Sequence, residues 1–219
     1  MINQHILLTI DGIIYTIHEG SLKILLIQRL IEPYRGMWAL PGGFVLDHET
    51  LDEAVAREIE EETSVTKAYL EQLYTFSTID RDPRSRVVTC AYMALMRHED
   101  MLIHAWSDAH DAQLFDIKHV PPLAFDHQEI VNYALQRIRY KLAYTNAAQY
   151  LLPQQFTLTE LHHLYEVVLD KDIDIRNFKK KVLKLKILAE TGERVIRGVH
   201  RPAMLYRFIS SQLHIVEIV

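Results

Sequence analysis

The chain has 219 residues, 49% apolar and 24% charged, an ordinary globular balance that allows one sizeable domain or two small ones. Its single cysteine, Cys90, excludes an intramolecular disulfide and fits a reducing, cytoplasmic compartment. No basic segment precedes the N-terminal apolar run, Asp11 interrupts that run, and no stretch is long enough to span a bilayer, so neither a secretory signal nor a membrane partner is expected.

In chain order, 6–17 (ILLTIDGIIYTI) and 22–30 (LKILLIQRL) are rich in branched apolar residues around a HEGS turn and read as a strand hairpin. Residues 37–45 (MWALPGGFV) read as an extended piece with a Pro-Gly-Gly break. Leu51, Val55 and Ile59 recur every four residues and predict a helix over 51–63. RVVTCAYMALM (86–96) predicts another strand, and 125–144 a helix with Asp126 as N-cap and Glu129 completing a capping box.

After residue 144 the texture changes. A connector at 145–156 leads to a helix over 156–169, opened by a Thr157/Glu160 capping box. A second helix follows over 172–186, starting near Asp174, and 194–208 reads as two short strands around a Gly/Pro turn. Helix, helix, hairpin is the order of a winged helix-turn-helix, so domains are expected at 1–147 and 154–219. The net charge of −5 supports a division of labour. Residues 1–170 hold 13 basic against 24 acidic side chains, net −11, whereas 171–219 hold 11 against 5, net +6.

The segment REIEEE (57–62) poses a physical problem, because like charges three and four apart on a helix repel. At about 100° per residue, Glu58, Glu61 and Glu62 share one face beside the apolar stripe. Carboxylates there must raise their pKa values or gain a cation, and a hard divalent ion such as Mg²⁺ suits oxygen ligands. Arg57, four residues from both Glu53 and Glu61, can brace the array without occupying the metal face. A solvated acidic face is the commoner meaning of a Glu-rich helix, and the helix alone leaves both open.

The surrounding spacing resembles the Nudix box. Gly43, Glu49, Arg57-Glu58-Ile59, Glu61-Glu62 and Val65 follow that family's Gly-x5-Glu-x7-Arg-Glu-U-x-Glu-Glu-x-Gly-U pattern, U being apolar, and WALPGG (38–43) looks like its usual lead-in. One position departs: Ser64 stands where the pattern has glycine. The resemblance implies an α+β protein with a Nudix fold, a mixed β-sheet between helices, that cleaves nucleoside diphosphate derivatives with Mg²⁺ or Mn²⁺. Carried over by position, Glu61 and Glu62 would be metal ligands, Glu58 a ligand or the base that activates water, and Gly43 a carbonyl donor. Glu49 and Arg57 would brace the loop. Ser64 follows the helix, where a left-handed glycine is common, so it implies a stability cost on the order of 1 kcal/mol.

A second resemblance covers the whole chain. DRDPRSRVVTCAYMAL (80–95), LAFDHQEI (123–130), LTELHHLYEVVL (158–169), IRNFKKKVL (175–183) and RPAMLYRF (201–208) are similar to the Nudix-related transcriptional regulators of NAD metabolism. Those proteins sense ADP-ribose or a related ligand in the Nudix domain and bind double-stranded operator DNA through the winged helix, as dimers. By the same resemblance Arg81 and Arg84 would approach a substrate phosphate or ribose. The residues of the tail agree. Phe178, Val182 and Leu185 form one helix face and Arg176, Lys180 and Lys184 the opposite one, where a second helix contacts DNA, while Arg197 and Arg201 flank a candidate wing. A solvated lysine face is the plainer alternative. Three readings follow: a pyrophosphohydrolase of ADP-ribose-like nucleotides, a ligand-sensing repressor without catalysis, and an enzyme whose tail only dimerises it. The histidines lack metal-ligand spacing, Asp126-His127 most simply caps a helix, and Trp38 and Cys90 read as core residues.

Overall fold

A computed structural model describes residues 5–63, 68–101, 112–196 and 202–218. The chain forms two compact units, Met1–Thr16 with Lys23–Leu135, and Ile17–Leu22 with Gln136–Val219.

In the first unit, seven described strands form one mixed sheet. They are β1 (Leu7–His18), β2 (Ser21–Gln28), β3 (Trp38–Ala39), β4 (Gly42–Phe44), β5 (Tyr69–Phe76), β6 (Val87–Leu95) and β7 (Ala112–Asp116). The order is β3-β2-β1-β6-β5, with β4 on β1 and β7 on β2. β1 and β6 run parallel from Leu7↔Val87 to Tyr15↔Leu95, and β4 pairs antiparallel with β1. The expected extended piece is thus two short strands, divided at Leu40-Pro41, because proline cannot donate to a ladder.

The helix expected over 51–63 is α1 (Leu51–Thr63). Thr50 and Glu53 close a capping box at its start: the Glu53 carboxylate accepts from the Thr50 N–H at 2.8 Å, and the Thr50 hydroxyl accepts from the Glu53 N–H at 3.3 Å. Glu53 is therefore committed to the cap and not to Arg57. Ala54, Val55 and Ile59 pack into a core with Ile10, Ile14, Cys90 and Tyr92, which fixes the rotation of α1 and hence the placement of its glutamates. α2 (His127–Tyr144) replaces the helix expected over 125–144. Its start also differs in chemistry, since both carboxylate oxygens of Asp126 accept from Arg81 at 2.8 and 2.7 Å.

The second unit contains α3 (Leu158–Leu169), α4 (Ile175–Lys184), β8 (Leu188–Val195) and β9 (Ala203–Phe208). The Thr157/Glu160 capping box is present, and Asp174 caps α4 by accepting from the Asn177 N–H. β8 and β9 pair antiparallel, and Phe156 exchanges backbone hydrogen bonds with Tyr206 of β9. Leu161, Leu164, Tyr165, Phe178 and Val182 are buried, so the apolar faces of both helices meet. Tyr165 and Phe178 lie 5.2 Å apart between ring centroids. β8 starts earlier than the expected residue 194, directly after α4. Among the described residues no helix is long and apolar enough to cross a membrane.

Candidate functional site

The loop before α1 and the helix itself are tied together by Arg57. Its Nε and Nη2 donate to the two oxygens of Glu49 at 2.9 and 2.6 Å, and Nη1 reaches Glu58 at 2.7 Å and Glu61 at 3.3 Å. These Arg57 hydrogen bonds, with the Leu46 N–H, hold Glu49 down at about 2. Arg57 thus braces the array through Glu61, as its spacing suggested, and engages Glu58 as well. Glu58 lies against the β4 backbone so closely that a Cβ on Gly43 would collide with its carboxylate, which explains a glycine there. Ser64 lies outside the described residues.

Glu62 behaves differently from its neighbours. One oxygen accepts from the Gly42 N–H at 2.7 Å. Burial pushes its pKa up to about 8, with Glu58 and Asp11 adding repulsion and the Gly42 N–H and Arg29 opposing it. An acid that binds its proton more tightly when folded loses stability as pH rises between its ordinary 4.5 and about 8. Melting temperature should therefore decline across that window, and Glu62→Gln should flatten the decline. Thermal melts at about pH 5 and about pH 8 measure it, and an equal decline in both proteins would refute the assignment.

Glu62 lines a cleft of the first unit together with Asp11, Arg29, Arg84, Phe125 and His127. Beneath it runs a buried polar network. Arg81 donates to Asp126 and, at 3.2 Å, to Asp11. His127 is buried. Its Nδ1 accepts from the Leu40 N–H at 2.9 Å, which places the ring proton on Nε2, 3.4 Å from Asp11. Burial lowers the His127 pKa against the pull of Asp11, so the ring stays neutral. His127 thus holds strand and helix together in addition to opening α2.

The two arginines expected at a phosphate differ in availability. Arg81 is buried and held by two carboxylates. Arg84 is exposed, oriented by Asp82 at 2.7 and 3.0 Å, and lies 5.8 Å over each of the rings of Phe44 and Phe125. Arg29, which the sequence did not single out, packs its guanidinium 4.7 Å over Phe125. Tyr34 meets the same ring edge-on at 4.8 Å. Both aromatic residues have left-handed backbones, with φ of 53° at Phe125 and 66° at Tyr34. For non-glycine residues such backbones cost on the order of 1 kcal/mol each, and they persist where surrounding contacts over-determine them.

In the second unit, Arg176, Lys180 and Lys184 are exposed on α4, opposite buried Phe178 and Val182. That is a cationic face on the second helix of a helix-turn-helix, free of core duties. Leu185, expected with the core face, is half-buried at the helix end. Arg197 and Arg201 lie outside the described residues.

Comparison with known proteins finds a NUDIX domain match over residues 9–134 and a match over 148–208 to the domain described as the NrtR DNA-binding winged helix domain. An ADPR responsive transcriptional repressor NtrR of Acinetobacter baylyi is 36% identical over 211 residues, covering 92% of this chain and 82% of that protein. An ADP-ribose pyrophosphatase of Methanocaldococcus jannaschii is 42% identical over 127 residues, 58% of this chain and 72% of that one. The crystal structure of Shewanella oneidensis NrtR complexed with a 27mer DNA superposes with a TM-score of 0.84 at 36% identity, covering 92% and 93% of the two chains.

Proposed function

The chain belongs to the Nudix family, with an NrtR-type winged helix behind its Nudix domain, and from that premise we propose that it is an ADP-ribose-responsive DNA-binding regulator of NAD metabolism. The observation that carries this is the exposed Arg176, Lys180 and Lys184 face of α4, opposite the winged-helix core. The first domain, taken as 1–147, would bind ADP-ribose in the Glu62–Phe125 cleft, and the second, taken as 154–219, would bind double-stranded DNA. A homodimer would place two recognition helices on half-sites about one helical turn apart, ~34–36 Å.

The test uses the full chain and fluorescence anisotropy on duplexes selected from a random pool. Saturating ADP-ribose should weaken DNA binding about fivefold or more, and by linkage DNA should weaken ADP-ribose binding by the same factor. Equal DNA affinity with and without ADP-ribose refutes the regulator reading.

A second reading, hydrolysis of the ADP-ribose diphosphate, is favoured by the complete set of acidic box positions and by the similarity to a pyrophosphatase. Nudix hydrolases use divalent metals, and the donors here fit one chemically. The box supplies carboxylates and a backbone carbonyl, and the Glu62 carboxyl is pushed up by burial and by neighbouring negative charge that a cation would offset. Among the described residues, no three acidic, histidine or cysteine side chains already form a cage. Glu58, Glu61, Glu62 and the Gly43 carbonyl would hold Mg²⁺ or Mn²⁺, which would neutralise diphosphate charge and make water more acidic. Glu49 and Arg57 keep the loop against α1, and Glu58 would accept the proton of the attacking water. Release of AMP in the same samples separates the two readings.

A further inference from the structure

We propose that Arg29 and Arg84, converging on the ring of Phe125, form a two-guanidinium clamp for the diphosphate of a nucleoside-diphosphate ligand. The proposal rests on reading the cleft as the nucleotide site, and it assigns the recognition of that ligand to residues outside the acidic box.

Three guanidiniums line the cleft, and they are not equivalent. Arg81 is spent on Asp126 and Asp11. Arg84 is held in a fixed orientation by Asp82 yet remains exposed, with its guanidinium carbon 5.8 Å from the Phe125 ring centre. Arg29 is held by its own loop: Nε donates to the Pro33 carbonyl at 2.8 Å and Nη2 to the Ile31 carbonyl at 3.4 Å. Carbonyls orient a guanidinium but do not cancel its charge, and among the described residues Arg29 makes no ion pair. Burial and then the positive charge of Arg84 push the Arg29 pKa down, against the weaker pull of Asp82, Glu62 and Glu32.

Two cations gathered against one ring repel each other, and an anion between them removes the penalty. The planar forks of arginine match phosphate oxygens in pairs. A diphosphate offers two adjacent charged groups and can engage both arms, whereas a monophosphate engages one fully. Phe125 and Tyr34, both with left-handed backbones, pack edge-on at 4.8 Å, which holds the ring that Arg29 and Arg84 share.

Calorimetry on the full chain, with ADP-ribose, ADP and AMP as probes, tests the clamp. The parent should prefer ADP over AMP by about tenfold or more, and Arg29→Gln should bring that ratio to about one. Arg29→Lys, which keeps the cation but loses the planar fork, should retain part of the ratio, between the values of the parent and of Arg29→Gln. A ratio unchanged in Arg29→Gln overturns the clamp and leaves the ADP-ribose reading standing if the parent binds ADP-ribose. A ratio lost equally in the Gln and Lys variants marks Arg29 as structural and also overturns it. Binding of ADP but not ADP-ribose, with the ratio still collapsing in Arg29→Gln, supports the clamp and removes the ADP-ribose reading. Thermal melts without ligand check folding. Should Arg29→Gln not fold, Arg84→Gln on the exposed arm carries the same expectation and the same refutation.

Discussion

Replacing Arg81 by methionine should destabilise the first unit by roughly 3–5 kcal/mol, because it leaves two carboxylates at a largely buried site without their cation. The side chains of Asp11, Asp126 and Arg81 itself are 9%, 14% and 5% exposed, so water cannot take over. Methionine fills much of the same volume, which isolates the electrostatic loss from the packing loss. Removing the charges together should behave differently. Arg81→Met combined with Asp11→Asn and Asp126→Asn should recover a large part of the loss, because the three side chains act as one network and their effects are not additive. Urea denaturation followed by a probe in the first unit measures both. A single-variant loss below about 1 kcal/mol would mean that the network is hydrated and that its role in shaping the cleft is overstated.

Removing the cationic face of α4 should be the largest single effect on DNA binding. Arg176→Ala, Lys180→Ala and Lys184→Ala combined should lower the slope of log affinity against log salt by about 2.7, since each phosphate contact contributes roughly 0.9. All three are exposed, so the melting behaviour should change little, each within about 0.5 kcal/mol. Residues 1–170, at net −11, repel DNA, so few other surfaces can compensate. Anisotropy over a salt series, on selected and on scrambled duplexes, distinguishes the contacts. Loss on all sequences alike marks phosphate contacts, whereas loss of about 1–3 kcal/mol on the selected sequence alone marks a base-reading side chain. An unchanged slope would remove DNA binding from this face. Arg197 and Arg201 are expected to add to it, and each can be tested by the same measurement.

What the sequence revealed depended on whether the signal was local. α1 was legible to the residue because the i, i+4 stripe of Leu51, Val55 and Ile59 is a local signal. α3 was nearly as legible: its Thr157/Glu160 box is present and its end agrees, but the helix begins at Leu158, two residues after the expected start. β5 gave no clean alternation: its register shifts between Gln72 and Tyr74, and a bulge moves the later side chains out of step. β7 is only five residues long and half-exposed, too short for a periodic signal. The cleft was harder still. Asp11 read as a break in an apolar run, yet its partners Arg81 and His127 lie 70 and 116 positions away. Arg29 and Phe125 meet across 96 positions, and although Phe125 lies in the LAFDHQEI segment, nothing local links it to Arg29. The acidic box was visible because its spacing is fixed by one loop and one helix, whereas the Arg57 contact to Glu58 is a choice of rotamer that spacing does not encode.

The parallel pairing of β1 with β6 sets a timetable for synthesis. Thr9 and Thr89 are neighbours in the sheet but 80 positions apart in the chain. At ~5–20 residues per second, a nascent chain carries β1 for roughly 4–16 s before its parallel partner has been made. During that interval the apolar surface of this strand, with Ile10, Ile13 and Ile14, is covered only as β2, β4 and then α1 emerge, and its β6 edge stays unpaired. Elongation rate and chaperone supply therefore bear on the yield of this protein most strongly through its first twenty residues.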